Sequence, residues 1–361
     1  MRCSSKSNIL CLQPLSQRRS FIHSHHCHTL NMRLRMSLSR LQGCCVSICG
    51  LFPAFSVTGL LLWSFYAVLF KIFSRVPAFH NGMGITVCLL TTMSWALTLV
   101  SYYRVLLAGP GSPMDIPELC VPDYDDDDAM SGRRRFVPPV EFVRSSVMIK
   151  SDGGYRFCGK CKCWKPDRCH HCSGCNRCIL RMDHHCPWFG TCLGFRNYRY
   201  FIQFLVHADV YLVLVTGCSI WTLWGFIVDE KWPLEWFSMH VIFTSCLGSV
   251  FLVAMIIFTI MTLYQLCRNR TTIESYELQR IRNRHSTTRD PFNVFDLGWR
   301  ANCRYVMGPS WKTWVFPLSY EDPTSTALQR VGAAFPVCAA YEGVAAEREL
   351  AARVSGEWNR V

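Results

Sequence analysis

The sequence has little charge. Only 17% of its 361 residues are charged and 50% are hydrophobic, and the mean hydropathy is +0.14. A soluble globular chain carries about 25% charged residues, so this shortage excludes an ordinary soluble protein. The abundance of apolar residues excludes disorder over most of the length. Acids are scarcer than bases, 25 against 38, and the resulting net charge of +13 by itself favours nucleic acid or an anionic membrane as partner.

Four stretches contain almost no charge, and Asp209 is the one charged residue inside them. Each is long enough to cross about 30 Å of hydrocarbon, which takes about 20 residues. Buried helices of a soluble enzyme are the alternative, but four runs of this length are rare there. The sequence therefore predicts an all-α polytopic membrane protein with four transmembrane helices, at residues 41–70, 76–103, 200–228 and 236–267.

Lysine and arginine are distributed unevenly around these spans. Seven precede the first span, 15 lie between the second and third, 13 follow the fourth, and the two short loops hold 3. Positive residues are retained on the cytosolic side of a membrane protein. We therefore expect both termini and the long central loop to be cytosolic, with the lipid bilayer and no nucleic acid as the partner of the excess charge.

Composition divides the chain further. The first 45 residues contain no acid, which is typical of a mitochondrial transit peptide, although a basic cytosolic tail explains the same composition and is preferred. Asp123 and Asp125 to Asp128 belong to a solvated linker. The predicted parts are a basic tail (1–40), helices 1 and 2 (41–107), a cytosolic linker (108–155), a cysteine-rich module (156–199), helices 3 and 4 (200–267) and a cytosolic C-terminal region (268–361).

Nine of the 22 cysteines fall between Cys158 and Cys192. Cytosolic thiols stay reduced, so disulfides are not expected, and a set this dense usually binds metal. The spacings Cys158-x2-Cys161 and Cys172-x2-Cys175 are those of zinc knuckles. The segment offers more donors than two tetrahedral zinc ions need, so spacing alone does not decide which residues are ligands.

Asp183-His184-His185-Cys186 places a carboxylate, two imidazoles and a thiol in succession. A pure metal site has no need for the carboxylate, whereas a nucleophilic site uses it to orient an imidazole that takes the proton from a thiol. A membrane-anchored zinc module that only binds partners is one alternative, and it leaves this acid and thiol unexplained. A transporter with a regulatory zinc domain is another, and it needs more intramembrane charge than Asp209.

The run from Cys158 to Asn197 resembles the Asp-His-His-Cys (DHHC) protein S-acyltransferases, or palmitoyltransferases. The sequence at 164–168 and 182–188 looks most like that of the fungal vacuolar members, and the resemblance extends from about residue 45 to 310. It implies transfer of a long acyl group from palmitoyl-coenzyme A to cysteines of cytosolic or membrane-associated proteins. It also implies a vacuolar membrane location, with the Golgi or endoplasmic reticulum as alternatives.

The resemblance also implies roles for individual residues. Cys186 would be the acyl-carrying nucleophile, His184 its base and Asp183 the residue that orients His184. Two structural zinc ions are implied, the first held by Cys158, Cys161, His171 and Cys178, the second by Cys172, Cys175, His185 and Cys192. Cys163, Cys169 and His170 are left without a role, although Cys169 could replace a ligand of the first site.

Two further expectations concern the surroundings of this module. Tyr211 falls where the family has a residue at the bottom of its acyl cavity, which implies a limit on acyl length near that of palmitate; simple packing is the alternative. Six basic residues around the zinc ligands are expected to offset the negative charge of the metal sites and to face anionic headgroups or the phosphates of coenzyme A at the surface, with plain positive-inside excess as the alternative: Lys160, Lys162, Lys165, Arg168, Arg177 and Arg181.

Overall fold

The computed structural model describes residues 52–76, 79–121, 138–148, 150, 154–228, 237–285 and 293–341. The predicted basic tail, the start of the first span and the acidic part of the linker lie outside these residues. The chain forms two units, Met1–Pro53 and Ala54–Val361, and the architecture below is that of the second.

Four long helices are apolar enough to cross a membrane: α1 (Phe52–Phe73), α2 (Gly82–Ala108), α4 (Tyr198–Val228) and α5 (Met239–Cys267). The prediction of a multi-pass, four-span membrane protein is confirmed. The end of α1, Ala67–Phe73, is π-helical. The shorter helices are α3 (Val140–Ser145), α6 (Thr272–His285), α7 (Trp299–Met307), α8 (Trp311–Val315) and α9 (Ala327–Val331).

The cysteine-rich module lies between α2 and α4 and contains three antiparallel hairpins of two strands each. No larger sheet occurs in the part of the chain that the structure describes. The strands are β1 (Phe157–Cys158), β2 (Cys163–Trp164), β3 (His170–Cys172), β4 (Arg177–Ile179), β5 (His184–Cys186) and β6 (Thr191–Leu193).

Many hydroxyl groups and helix ends of the spans find partners within the same helix, as hydrocarbon favours. Asn81 caps α2 by accepting a hydrogen bond from the Gly84 N–H at 2.8 Å. Along the helices, hydroxyl groups donate to carbonyl oxygens one turn earlier, as Thr98 does to Ser94 at 2.8 Å. These bonds let small polar residues line the helix interfaces without a desolvation penalty.

Close contact between α4 and α5 depends on a small residue. A Cβ atom added to Gly248 of α5 would lie 2.5 Å from Oγ1 of Thr216 on α4. Nearby, the Thr244 hydroxyl donates to Ser219 Oγ at 2.8 Å. Small residues of this kind let helix backbones approach closely in membranes, where packing rather than the hydrophobic effect drives association.

Gly248→Ala should therefore lower the thermal midpoint of the purified protein, because the new methyl group forces α4 and α5 apart. The matched control is Gly217→Ala on α4, where an added Cβ meets nothing within 4 Å and helix propensity gains about 1 kcal/mol. If Gly248→Ala and Gly217→Ala have the same thermal midpoint of unfolding in detergent, the close contact at Gly248 does not contribute to stability.

Arg168 connects the cysteine-rich module to the segment that follows α5. Its side chain is fully buried and donates to the Glu274 carboxylate at 2.7 and 2.9 Å and to the Asn269 carbonyl at 2.8 Å. The guanidinium also lies over the rings of Phe295 and Phe335, at 4.7 and 5.4 Å. Although burial alone would raise the pKa of Glu274, Arg168 holds it below its usual value.

The expectation that all six basic residues lie at the surface is wrong for two of them. Arg168 is 0% and Arg181 is 2% exposed, so neither can face headgroups or coenzyme A. Arg181 packs over the Tyr198 ring at 4.7 Å and donates to Asn269 Oδ1 at 3.3 Å. Both guanidiniums are instead part of the joint between the module and the membrane helices.

Candidate active site

The three hairpins of the module are copies of one shape, spaced 14 residues apart. In each, the first strand ends at a cysteine whose strand partner lies five positions later: Cys158 pairs with Cys163, Cys172 with Arg177 and Cys186 with Thr191. The residue four positions after that first cysteine has a positive φ in every copy, at Lys162, Asn176 and Gly190. The module is therefore an internal repeat of a tight knuckle turn.

Side-chain alternation along the strands sorts the donors into two groups. Successive residues of a strand point to opposite faces, so His171 and Cys172 of β3 face different ways. Ligand atoms within 4.8 Å of one another form two sets, Cys158, Cys161, His171 and Cys178, and Cys172, Cys175, His185 and Cys192. Each set joins the knuckle of one hairpin to a cross-strand His–Cys pair of the next, His171 with Cys178 and His185 with Cys192.

The donor geometry of both sets fits a tetrahedral zinc ion. In the first set, His171 Nδ1 lies 3.6, 3.2 and 3.8 Å from the three sulfurs. In the second, His185 Nδ1 lies 3.7, 3.3 and 3.6 Å from its sulfurs. Zn–S bonds of about 2.3 Å and Zn–N bonds of about 2.0 Å give tetrahedral edges of roughly 3.6 Å. Two Cys3His clusters suited to zinc are thus present.

The third hairpin breaks the pattern at one position. Where the first two knuckles have their second cysteine, Cys161 and Cys175, the third has Phe189, three residues after Cys186. Phe189 is buried against the rings of Tyr102 and Phe204, at 4.8 and 5.2 Å. Cys186 therefore occupies a ligand position of the repeat but belongs to neither Cys3His set among the described residues.

Asp183, His184 and Cys186 form a connected chain of side chains. His184 Nδ1 lies 2.7 Å from Asp183 Oδ2, and Thr272 holds the same carboxylate with its backbone N–H and its hydroxyl, both at 2.9 Å. His184 and Cys186, two residues apart on β5, point to the same face. His185 between them faces the second metal cluster.

Electrostatics in this chain of side chains favour a protonated imidazole. Burial disfavours the charge on His184, but hydrogen bonds to Asp183 and Cys186 outweigh it and raise the pKa of His184 to about 9. Burial would also raise the pKa of Asp183, yet the bonds from His184 and Thr272 keep it below its usual value. An imidazole held by a carboxylate and in contact with a thiol can take up the proton of that thiol.

A cavity of about 520 Å³ opens beside these side chains and extends between the membrane helices. Its volume lies within the range of about 300–1,000 Å³ that is typical of ligand pockets. His184 and Cys186 line the cavity together with residues from all four spans, and the lining is almost entirely apolar. Such a cavity can hold a long hydrocarbon chain whose reactive end lies at the thiol.

Tyr211 and Ser64 line the same cavity. The Tyr211 hydroxyl lies 2.9 Å from Ser64 Oγ, which links α4 to α1. The residues of α4 that line the cavity run from Phe201 to Val215, about 21 Å along the axis at 1.5 Å per residue. Tyr211 and Cys186 therefore line one cavity, and the role of Tyr211 at the bottom of an acyl site stays a prediction.

Two cysteines of the module lie beside the first metal cluster without joining it. Cys163 and Cys169 are buried and pack with the first Cys3His set, outside its four ligand atoms. The sequence reasoning missed Phe189, which fills the empty knuckle position, although the 14-residue spacing of the three hairpins was a signal that could have identified it. The contact of Thr272 with Asp183 joins residues 89 positions apart, and no local pattern marks it.

Known proteins with similar sequences identify the family of this chain. The sequence profile of the DHHC palmitoyltransferase family matches residues 151–279. Palmitoyltransferase PFA3 of Saccharomyces cerevisiae is 37% identical over 281 residues, which cover 76% of this chain and 80% of that protein. Palmitoyltransferase PFA3 of Candida albicans is 35% identical over 315 residues, with 80% and 82% covered.

Likeness extends beyond fungi. Palmitoyltransferase ZDHHC15 of Xenopus laevis is 27% identical over 289 residues, covering 79% of this chain and 83% of that protein. The residues matched by the family profile include the third and fourth spans as well as the cysteine-rich module. This chain is a protein palmitoyltransferase and belongs to the DHHC palmitoyltransferase family.

Proposed function

We propose that Cys186 accepts a long acyl group from acyl-coenzyme A and passes it to a cysteine of a protein substrate. The observation that supports this most is the position of the Cys186 thiol. It lies outside both Cys3His sets, next to an imidazole held by Asp183, and lines the apolar cavity between the spans.

The proposed reaction has two thioester exchanges. In the first, His184 takes the proton from Cys186, and the sulfur attacks the carbonyl carbon of the donor. The bond from that carbon to the coenzyme A sulfur breaks, and coenzyme A leaves with the proton from His184. In the second, the substrate thiol gives its proton to His184 and attacks the Cys186 thioester. Cys186 then leaves with that proton, and no external energy source is needed.

The two Cys3His sets would hold structural zinc, which supplies closed four-coordinate crosslinks and takes no part in the exchange. The crosslinks would fix each hairpin on the next, and so fix β5 with His184 and Cys186. Asp183 is a positioning residue, since it acts through His184. General-base help of this kind contributes about 10²–10⁴-fold to a rate.

The acyl chain would occupy the cavity, where each buried methylene contributes about 0.8 kcal/mol. An extended chain advances roughly 1.3 Å per carbon, given C–C bonds of about 1.5 Å. The length of α4 that lines the cavity, from Phe201 to Val215, therefore matches a palmitoyl group, and the Tyr211–Ser64 pair would narrow the cavity one helical turn before that end. Tyr211 is proposed as the residue that limits chain length.

The proposed location and partners rest on the charge distribution, the position of the Cys186 thiol and the likeness to fungal proteins. The concentration of lysine and arginine beside the module favours a cytosolic active site with both termini cytosolic. Substrates would be proteins whose cysteines lie close to the membrane, since the Cys186 thiol lines the cavity between the spans. The likeness to fungal members favours the vacuolar membrane, with the Golgi or endoplasmic reticulum as alternatives.

Cys186→Ser should abolish covalent labelling by radioactive palmitoyl-coenzyme A, because the alcohol is a far weaker nucleophile than the thiolate. Zinc content should stay near that of the unmodified protein. Cys303→Ser is the matched control, because Cys303 is a buried thiol of the same apolar core but does not line the cavity. Strong labelling of Cys186→Ser would defeat the proposed role.

Cys158→Ala should lower bound zinc from about two ions to about one per chain, and lower the yield of folded protein, because a Cys3His site needs all four ligands. Cys246→Ala is the control, since this exposed thiol on α5 belongs to neither set. The zinc content per chain of the purified proteins is the measurement that tests this. An unchanged zinc stoichiometry in Cys158→Ala counts against the assigned ligands.

Tyr211→Ala should shift the donor preference toward acyl chains longer than palmitoyl, because removing the phenol lengthens the cavity. Competition among acyl-coenzyme A donors of graded length, read by the mass of the acylated enzyme, measures the shift. Tyr264→Ala on α5 serves as control, since its ring is exposed. If Tyr211→Ala keeps the original preference at full activity, the phenol only packs the helices.

A further inference from the structure

Two arginines converge on one phenol at the ends of α2 and α4 that face the cysteine-rich module. Arg104 Nη2 donates to the Tyr200 hydroxyl oxygen at 2.9 Å, and Arg199 Nη2 donates to the same oxygen at 3.2 Å. Their guanidinium carbons lie 4.8 and 5.0 Å from the centre of the Tyr200 ring. Two positive charges are thus brought close together around one neutral side chain.

The acceptors around this pair are neutral. Arg104 also donates to the Ser319 hydroxyl at 2.7 Å, and Arg199 to the Leu318 carbonyl at 2.6 Å. Among the residues that the structure describes, no carboxylate makes a salt bridge with either side chain. The Nε atoms of both arginines are buried and have no hydrogen-bond partner there. Half-buried like charges in this arrangement repel each other unless an anion joins them.

The pair lies at the boundary between membrane and water. Gln203, one helical turn along α4, donates to the carbonyl oxygens of Thr313 and Phe316 at 2.8 and 2.9 Å, which fixes the segment around α8 against α4. That segment exposes the large rings of Trp311 and Trp314. Exposed tryptophans beside arginines are typical of the headgroup level of a bilayer.

The pair does not belong to the acyl cavity. Tyr102 and Phe201 line the cavity, whereas Arg104 and Tyr200 do not, because residues one or two positions apart on a helix face different directions. A ligand between Arg104 and Arg199 would therefore approach from outside the bundle. Coenzyme A bound at the cavity mouth is a poor candidate for that position.

We propose that Arg104, Arg199 and Tyr200 form a binding site for the phosphate group of an anionic phospholipid in the leaflet beside the cysteine-rich module. Arginine is suited to phosphate because its planar guanidinium presents several N–H donors to the phosphate oxygens. The lipid would neutralise the two charges and hold α2, α4 and the Leu318–Ser319 segment together. Anionic lipids are concentrated on the cytosolic leaflet, the side proposed for the module.

The test uses the full-length protein in phosphatidylcholine nanodiscs prepared with or without phosphatidic acid. Phosphatidic acid should raise the thermal midpoint of the unmodified protein and remain bound in native mass spectra. The double variant Arg104→Gln/Arg199→Gln should retain the lipid at least about tenfold more weakly, since both charged donors to the phosphate are lost. Arg280→Gln, at an exposed position of α6, should behave as the unmodified protein.

One further variant and two contradicting outcomes complete the test. Arg199→Lys retains the charge and should bind the lipid more tightly than Arg199→Gln, which separates lipid binding from a general loss of folding. Equal midpoints with and without phosphatidic acid in the unmodified protein would overturn the proposal. So would inorganic phosphate that reproduces the stabilisation at the same concentration, because the ligand would then be a free anion rather than a lipid.

Discussion

The module depends on the alternation of side chains along three very short strands. Because neighbouring residues point to opposite faces, His171 serves the first Cys3His set while Cys172 serves the second. The same alternation separates His185, a member of the second set, from His184 and Cys186 on either side. A shift of one residue in the third hairpin would exchange a metal ligand for a cavity residue. The metal clusters and the proposed catalytic residues are therefore fixed by one register.

The repeat also explains why the Cys186 sulfur belongs to neither Cys3His set. Each cluster needs the knuckle of one hairpin and the cross-strand pair of the next. Among the described residues the third knuckle is the last, so no following hairpin there supplies a histidine and a cysteine, and Phe189 stands at its second ligand position. Instead of metal, Cys186 meets the cavity between the spans. In the proposed reaction, Cys186 of the last knuckle therefore acts as a nucleophile at the surface of the membrane.

Much of this arrangement could be predicted from the sequence, because its signals are local. The spans are long uncharged runs, and the metal donors have characteristic spacings. The buried Arg168 was missed because a lone arginine beside zinc ligands looks like surface charge. Its partner Glu274 lies 106 positions later, and no local pattern joins the two. The cavity could be expected only through the family resemblance, since all four spans contribute to its wall and no local pattern brings them together.

The central claim is that the Cys186 sulfur remains outside the metal shells while its neighbours bind zinc. X-ray absorption at the zinc edge tests this most directly, by comparing the unmodified protein with Cys186→Ser. The account predicts an average shell of three sulfurs and one nitrogen per zinc, identical in both proteins. A loss of sulfur from the shell of the Cys186→Ser protein would contradict it.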